Sequence, residues 1–501
     1  MGGMGLRVAF LAAECEPWAK TGGLADVVDA LARALRTPSV DGVDGPVEVF
    51  LPRYRGVPDP DPSAVLGEMT LAVPDPRART GASEVTVVDV AANGYRLRLV
   101  DHPPAFDRAG FYGEGDADYA YNAWRFGLYG RAALEALRIE GRPIDVLHLH
   151  DWQAGPAAIF RGLLYEDDPI VGAAALVMTL HNLAYHGWTP NAAVSQLGLR
   201  PGGEAPGQNA DGVDLLAAGI EAAEMVNTVS PTYAREALTP EFGMGLDRLL
   251  RNRGDRFIGI LNGLDTGVWD PATDRDLAAP YARGELAGKS ACRADLLRRV
   301  GFDPADDGPV IGMIGRLDPQ KGFDLLADAT PTLLARGARV VVQGTGHASL
   351  ADSFRALASA SPGRVALIER FDRAMARAIY AGADLFAMPS RFEPCGQGQM
   401  IALRYGTPPI VHCTGGLADT VVDATGQPGE GTGFVFDAPT PEALIAACDR
   451  AFALRAAGGA AWDRLVDRGM AVDFDWATGS APKYVEAYRR AVSIRRDEAA
   501  G

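Results

Sequence analysis

Apolar runs in this chain repeatedly end in polar residues that a core would exclude. Ile144 to Leu149 is followed by His150-Asp151-Trp152, and Ala175 to Leu180 by His181-Asn182-Leu183-Ala184-Tyr185. Val310 to Ile314 leads into Gly315-Arg316-Leu317-Asp318-Pro319-Gln320-Lys321-Gly322, and Leu385 to Met388 into Pro389-Ser390-Arg391-Phe392-Glu393-Pro394-Cys395-Gly396. Arg316 and Lys321 across one turn can put two cations on one anion, and the arginine fork suits phosphate oxygens. The plainer alternative is a surface ion pair with Asp318 or Asp324. Glu393 stands before a proline that fixes the backbone, so its carboxylate can be aimed at a ligand; a salt bridge to Arg391 or Arg404 is the competing reading. A lone histidine is usually a core residue, but Asn182 doubles the polar load beside His181. Asp151 reads as a cap for the helix that follows, a role compatible with also binding a sugar hydroxyl.

The string Thr-Gly-Gly-Leu-Ala-Asp occurs at Thr21 to Asp26, with Lys20 before it, and again at Thr414 to Asp419. Each copy follows an apolar run (Leu6 to Ala13, Pro409 to His412) and opens a helical period. Glycine lets a ligand approach the backbone, and unpaired N–H groups at a helix start attract anions. Two glycine loops facing one ligand is the arrangement this predicts, although glycines also simply end strands in α/β folds.

The elements that must position these residues alternate. Strands are predicted at Val47 to Leu51, Val85 to Val90, Tyr95 to Val100, Met225 to Val229 and Phe257 to Leu261, and later at Arg339 to Gln343 and Val365 to Ile368. Helices are predicted at Tyr119 to Ile139, Gly155 to Leu164 and Leu215 to Ala223. The alternation predicts two doubly wound parallel sheets with ligands at the carboxyl ends of the strands, in a cleft between the two domains. Asp270 to Gly308 reads as a linker with a helix near Lys289 to Val300. Pro58 to Pro62 and Pro74 to Arg79 read as exposed turns, and Leu197 to Gly212 as a mobile loop.

Composition narrows the partners. The chain has 501 residues, 48% hydrophobic, with mean hydropathy −0.01, which suits a globular protein of two or three domains. Lys and Arg number 48 against 64 Asp and Glu, a net charge of −16, which disfavours nucleic acid but not a neutral polymer. Five cysteines without a CxxC pair encode neither a disulfide framework nor a zinc site and fit a reducing cytoplasm. No basic leader precedes the first strand, and no membrane span is expected. Scattered histidines lack a metal-ligand spacing, so neutralisation of a phosphate would fall to Arg, Lys and backbone N–H groups. Together these point to a metal-independent transferase acting on a phosphate-activated substrate.

Lys20-Thr-Gly-Gly-Leu-Ala-Asp-Val, His181-Asn-Leu-Ala-Tyr, Leu261-Asn-Gly-Leu-Asp, Gly315-Arg-Leu-Asp-Pro-Gln-Lys-Gly, Pro389-Ser-Arg-Phe-Glu-Pro-Cys-Gly and the second Thr414-Gly-Gly-Leu-Ala-Asp resemble, in order, the bacterial glycogen synthases and plant starch synthases. The resemblance runs from about residue 6 to Trp476. It implies a GT-B fold of two Rossmann-like domains facing a central cleft: an acceptor-side domain over 1–268, a nucleotide-sugar domain over 269–473, and a C-terminal segment over 474–501 crossing back to the first, with a helix from Phe474 to Arg489. The implied reaction moves glucose from ADP-glucose to the non-reducing-end 4-hydroxyl of an α-1,4-glucan, glycogen or a maltooligosaccharide, retaining configuration and releasing ADP. UDP-glucose as donor, another retaining GT-B glycosyltransferase and a non-catalytic glucan-binding protein are the alternatives. Neither a cofactor nor a metal is implied.

By resemblance, Arg316, Lys321, Glu393 and His181 are the catalytic group. Lys20, Gly22, Gly23, Asp26, Asn262, Gly315, Phe371, Cys395, Gly396, Thr414, Gly415 and Gly416 hold the nucleotide sugar, and Glu14, Tyr112, Asp151 and Asn182 line the glucose and acceptor. Some positions depart from the family pattern. Ile401 stands where a wider motif has a second glutamate, as in the glycogen synthases generally. Gln153 replaces a histidine, Phe371 replaces a tyrosine that stacks on adenine, and His347, Gln397, His412 and Cys413 replace commoner residues.

Overall fold

The computed structural model describes residues 5–114, 117–426 and 429–500. They divide into two compact units: Met1–Val229, Ala234–Gly263 and Trp476–Gly501 form the first, and Ser230–Tyr233 with Leu264–Asp475 the second.

The first unit is built on a nine-stranded sheet. Its strands are β1 (Val8–Leu11), β2 (Glu48–Pro52), β3 (Val65–Pro74), β4 (Ala82–Ala91), β5 (Arg96–Asp101), β6 (Val146–His150), β7 (Ala175–Leu180), β8 (Met225–Thr228) and β9 (Phe257–Gly259). Their spatial order is β9-β8-β7-β6-β1-β2-β5-β4-β3. From β9 to β5 every pairing is parallel, and β3 and β4 add an antiparallel edge. Strands β1, β2, β6, β7 and β8 are buried along their whole length, as an α/β sheet covered on both faces requires. The chain leaves β1 toward β2 and later returns to its other side as β6, so strand order reverses between β1 and β6.

A charged knot ties the antiparallel edge to this sheet. Arg98 of β5 is wholly buried and donates from Nε to Asp89 (2.7 Å), from NH1 to Glu48 (2.9 Å) and from NH2 to Glu140 (2.5 Å), with its guanidinium over the Phe50 ring. A buried guanidinium is tolerable only with such complete pairing.

The second unit carries a six-stranded, all-parallel sheet: β10 (Val310–Ile314), β11 (Arg339–Gln343), β12 (Val365–Ile368), β13 (Leu385–Met388), β14 (Pro409–His412) and β15 (Phe434–Phe436). The order is β12-β11-β10-β13-β14-β15. This is the order of dinucleotide-binding folds, whose ligands lie beyond the carboxyl ends of the two strands where the order reverses, here β10 and β13.

Several sequence expectations are corrected. Strand β3 escaped the reading because its exposure alternates and a bulge at Val65 to Gly67 breaks the period; Pro74 therefore closes a strand rather than opening an exposed turn. Strand β15 is too short to stand out. Asp270 to Gly308 is not a loose linker. Lys289 donates to Ala381 O (2.9 Å), Tyr405 O (2.9 Å) and Thr407 Oγ1 (2.7 Å), and buried Asp274 accepts from Tyr405 and Arg377, which fastens the segment to the second unit. Leu197 to Gly212 is cross-linked by its own polar groups, Gln208 to Arg200 O and Asn209 to the Asp211 amide. The C-terminal helix covers Ala481–Ala500, after a π-turn at Trp476–Ser480, and lies within the first unit.

The charged knot yields a prediction. Arg98→Leu removes the buried cation shared by Asp89, Glu48 and Glu140, which keep only their pairs with Arg96 and Arg142, and is expected to lower unfolding free energy by about 3 kcal/mol, measured by chemical denaturation.

Candidate active site

In the second unit, loops after β10, β13 and β14 converge on one carboxylate. Glu393 is buried; Lys321 Nζ donates to both its oxygens (2.9 and 2.7 Å) and Ser390 Oγ donates to Oε2 (3.1 Å). The ion pairs anticipated with Arg391 and Arg404 do not form: Arg391 makes a two-pronged pair with Asp324, and Arg404 reaches Trp269 O and Asp270. The loop after β10 begins at Gly315 and turns through Pro319–Lys321, where Asp318 caps the Gln320 amide. Gly322, at φ +74°, ends that turn. A Cβ there would lie 2.1 Å from Pro389 O, so only glycine lets the two loops touch. Further stitches run from the Arg391 amide to Gln320 O and from Gln320 Nε2 to Phe392 O.

Beside this cluster Arg316 remains largely in solvent, with Asp318 at 3.6 Å as its ion-pair partner. Phe371, in the loop after β12, is 88% exposed, an uncovered aromatic face.

The second glycine string completes the enclosure. The Gly416 amide donates to Glu393 O (3.1 Å); a Cβ at Gly415 would meet that same oxygen at 1.9 Å, and one at Gly416 would meet Cys395 O at 2.2 Å. Thr414, Gly415, Gly416 and Cys395 are all buried, and Gly396 takes φ +72°. Asp419 accepts from the Thr232 amide and hydroxyl (2.9 and 2.6 Å). Here the glycines bring main chains together around Glu393.

The first copy is different. Gly22 and Gly23 are exposed, and a Cβ on either would meet open space. Buried Glu14 accepts from the Thr21 amide (2.6 Å), the Gly22 amide (3.0 Å), Thr21 Oγ1 (2.5 Å) and Tyr112 OH (2.7 Å). A carboxylate thus occupies the start of the Gly23–Ala34 helix, as the anion-attracting character of such a terminus requires. Lys20 pairs with Asp26 (2.6 Å) and Glu16 (3.4 Å). Asn262, after β9, is buried, and its amide oxygen has no hydrogen-bond partner among the described residues.

Across the reversal point of the same sheet, Asp151 does not cap its own helix. It holds a left-handed φ of +55°, uncommon for a residue with a side chain, and its Oδ1 accepts from the His181 amide (2.7 Å). Burial raises its pKa to about 7, opposed by that amide and the amide of Asn182. His181 Nε2 faces His150 Nδ1 at 3.1 Å, and the Asn182 side chain accepts from the Ala184 amide. His148 and His150 carried no role in the sequence reading. The signal was present, since both sit at alternate positions of β6, on one face, in a strand otherwise apolar.

In sum, the second unit brings Gly315, Lys321, Glu393, Cys395, Gly396 and the Thr414 string together, with Arg316 beside them on the β10 loop. The first unit groups Glu14, Lys20, Gly22, Gly23, Asp26 and Tyr112 after β1, and Asp151, His181 and Asn182 after β6 and β7. Burial holds His148 and His150 well below the usual histidine range and takes His181 down to about 3. All three are neutral when folded, whereas the unfolded chain protonates near pH 6.5, so it binds more protons than the native state below that value. Their contribution to stability is full above about pH 6.5 and is lost as pH falls below that, for His181 down to about 3. Thermal melts over that window are expected to show a downward slope that becomes shallower in His148→Phe.

Residues 7–252 match the family described as "Starch synthase catalytic domain", and residues 308–453 the family "Glycosyl transferases group 1". The chain is 41% identical over 494 residues to a glycogen synthase of Syntrophotalea carbinolica, covering 98% of this chain and 99% of that one. It is 43% identical over 489 residues to a glycogen synthase of Anaeromyxobacter dehalogenans, covering 97% and 99%. Among solved structures, the catalytic domain of starch synthase IV from Arabidopsis thaliana, bound to ADP and acarbose, superposes with TM-score 0.86 at 35% identity, over 98% of this chain and 100% of that one. A sucrose-phosphate synthase from Thermosynechococcus elongatus shares the fold, with TM-score 0.58 at 19% identity over 97% and 99%. Two Rossmann-like units of GT-B type and relatives matched along nearly their full length lead to one assignment: the chain belongs to the glycogen synthase and starch synthase family of glycosyltransferases.

Proposed function

We propose that this glycosyltransferase moves glucose from ADP-glucose to the 4-hydroxyl at the non-reducing end of an α-1,4-glucan, with retention of configuration and release of ADP. The observation that carries the reading is the Arg316, Lys321 and Glu393 group at the reversal point of the second sheet, two cations and a fixed carboxylate where such folds bind nucleotides. The Arabidopsis starch synthase, which holds ADP and acarbose, supports both the nucleotide and a glucan as acceptor.

Each residue then has a physical task. Arg316, open to solvent, takes the charge that grows on the departing diphosphate, and Lys321 shares it while holding Glu393. Glu393 accepts hydroxyl hydrogens of the transferred glucose. The Phe371 face receives adenine, with a stacking surface and no hydroxyl. Glu14 yields the Thr21 and Gly22 amides to the donor, and Lys20 with Asp26 and Asn262 borders it. Asp151 holds the amides of His181 and Asn182, and the second shares its peptide plane with the His181 carbonyl, the group we assign to the anomeric carbon. Tyr112 and Asn182 face the acceptor. Charge neutralisation by Arg, Lys and backbone N–H groups makes no call on a metal or a cofactor. A cytoplasmic setting is part of this reading, from a cysteine usage without a CxxC pair, and no helix among the described residues is long and apolar enough to cross a membrane.

The decisive assay offers radiolabelled ADP-glucose and glycogen, with unlabelled UDP-glucose as competitor. Label is expected in the polymer with wild type and not with Glu393→Ala, and UDP-glucose is expected not to compete; incorporation from UDP-glucose alone would overturn the donor assignment. NMR of the product should show only new α-linkages. Arg316→Ala or Lys321→Ala is expected to lower kcat by about 10²–10³ while changing KM less, as for loss of one stabilising donor in the transition state. The two glycine strings should also separate. Gly22→Ala is expected to keep the wild-type melting temperature and lose kcat/KM. Gly415→Ala, at φ +43° with the Glu393 carbonyl in the way, should cost about 1–3 kcal/mol of stability together with activity.

A further inference from the structure

Beneath His181 runs a column of buried polar groups that reaches the C-terminal helix, all of it inside the first unit. Thr179 Oγ1 gives its one proton to Asn227 Oδ1 (2.8 Å), whose Nδ2 donates to Tyr484 OH (3.2 Å). Thr179 can therefore only accept from His148 Nε2 (2.6 Å), which places the His148 proton on Nε2 and leaves Nδ1 to accept from Tyr488 OH (2.9 Å). His148 has no proton left to give. Its ring packs 4.1 Å, centroid to centroid, from that of His150, and Phe10 meets both rings edge-on at 4.8 and 5.1 Å.

His150 is wholly buried, and its Nε2 has no hydrogen-bond partner among the described residues. Its Nδ1 faces His181 Nε2, and the rings stack with centroids 5.3 Å apart. Only one of these two nitrogens can carry the proton. If it were His181 Nε2, His150 would hold its own proton on Nε2 as a buried N–H with nothing to receive it, which native structures avoid more strictly than an unfilled acceptor. The other arrangement leaves only a lone pair unsatisfied. It puts the His150 proton on Nδ1, directed at His181 Nε2, and so puts the His181 proton on Nδ1. Burial keeps both rings neutral, so the choice is between tautomers and not charge states.

We propose that His150 is a positioning residue that holds His181 as the Nδ1–H tautomer and fixes its ring, so that a hydrogen-bond donor and not an acceptor faces the transferred sugar. The inference rests on the placement of His181 against that sugar and adds what sets its proton. Sugar hydroxyls and ring oxygen present lone pairs, which an N–H can hold in one orientation. The column from Tyr488 through His148 keeps the His150 ring from turning.

The test uses the full chain with ¹⁵N-labelled histidine. In wild type, His181 is expected to give a protonated-type Nδ1 resonance and an unprotonated-type Nε2. His150→Phe keeps the ring and its packing but removes the donor. It should mix the two His181 tautomers, lower kcat by at least about 10-fold, the lower end of the loss seen when the partner orienting a metal-bound histidine is removed, and change the donor KM less than about threefold. His150→Asn, whose amide N–H can take the place of Nδ1–H, should restore the wild-type His181 signature and most of kcat. If His150→Phe does not fold, the asparagine variant carries the test, and loss of its His181 signature overturns the proposal. A His150→Phe enzyme with unchanged His181 resonances, or with kcat within about twofold of wild type while His181→Ala is impaired, also overturns it. Full activity of His181→Ala would instead refute the placement of His181 on which the inference stands.

Discussion

A carboxylate as enclosed as that of Glu393 must be neutralised where it lies, because moving an unpaired charge out of water costs several kcal/mol or more. Lys321 does this with both carboxylate oxygens engaged, and its partner is fixed by backbone rather than by side-chain chance. Gly322 allows the loops after β10 and β13 to touch, and Gly415 and Gly416 allow the loop after β14 to close on the Glu393 and Cys395 carbonyls. The all-parallel order of the second sheet brings those three strand ends together. Remove that packing, and the buried anion and the exposed arginine would share no common place.

The two copies of Thr-Gly-Gly-Leu-Ala-Asp show how one string serves two physical ends. In the second copy each glycine is required by another main chain lying where a Cβ would be, and the terminal Asp419 fastens Thr232. In the first, no atom crowds the glycines, the amides hold the Glu14 carboxylate, and the terminal Asp26 pairs with Lys20. Open space over a glycine loop whose amides already hold a carboxylate suits an anionic ligand, whereas filled space over buried glycines suits assembly. Local sequence is blind to this distinction because it depends on what the rest of the fold lays against each loop.

On the first unit the organising principle is neutrality. His148, His150 and His181 are kept uncharged by burial, and hydrogen bonds among Thr179, Asn227, Tyr484 and Tyr488 use each donor in one direction. Such a chain gives orientation without adding charge. Asp151 acts on the same segment from the other side by gripping the His181 amide, so ring and backbone of His181 are constrained by separate groups.

Much of this was legible in the residues alone. Buried parallel strands read as uninterrupted apolar runs, so β7, β10, β11, β12, β13 and β14 coincide with their sequence boundaries, and polar residues at the ends of such runs marked the sites of both units. The edge strand β3 was hidden by its bulge and by a half-exposed face, where hydrophobicity no longer carries the period. Partners were hidden for a deeper reason. Whether Glu393 meets Lys321 or Arg391, whether Tyr112 reaches Glu14, and whether Tyr488 reaches His148 all depend on contacts between segments far apart in the chain, 340 positions for the last pair. Sequence determined which residues stand at strand ends and so could do chemistry. Strand order, and the few places where only a glycine leaves room, decided which of them touch.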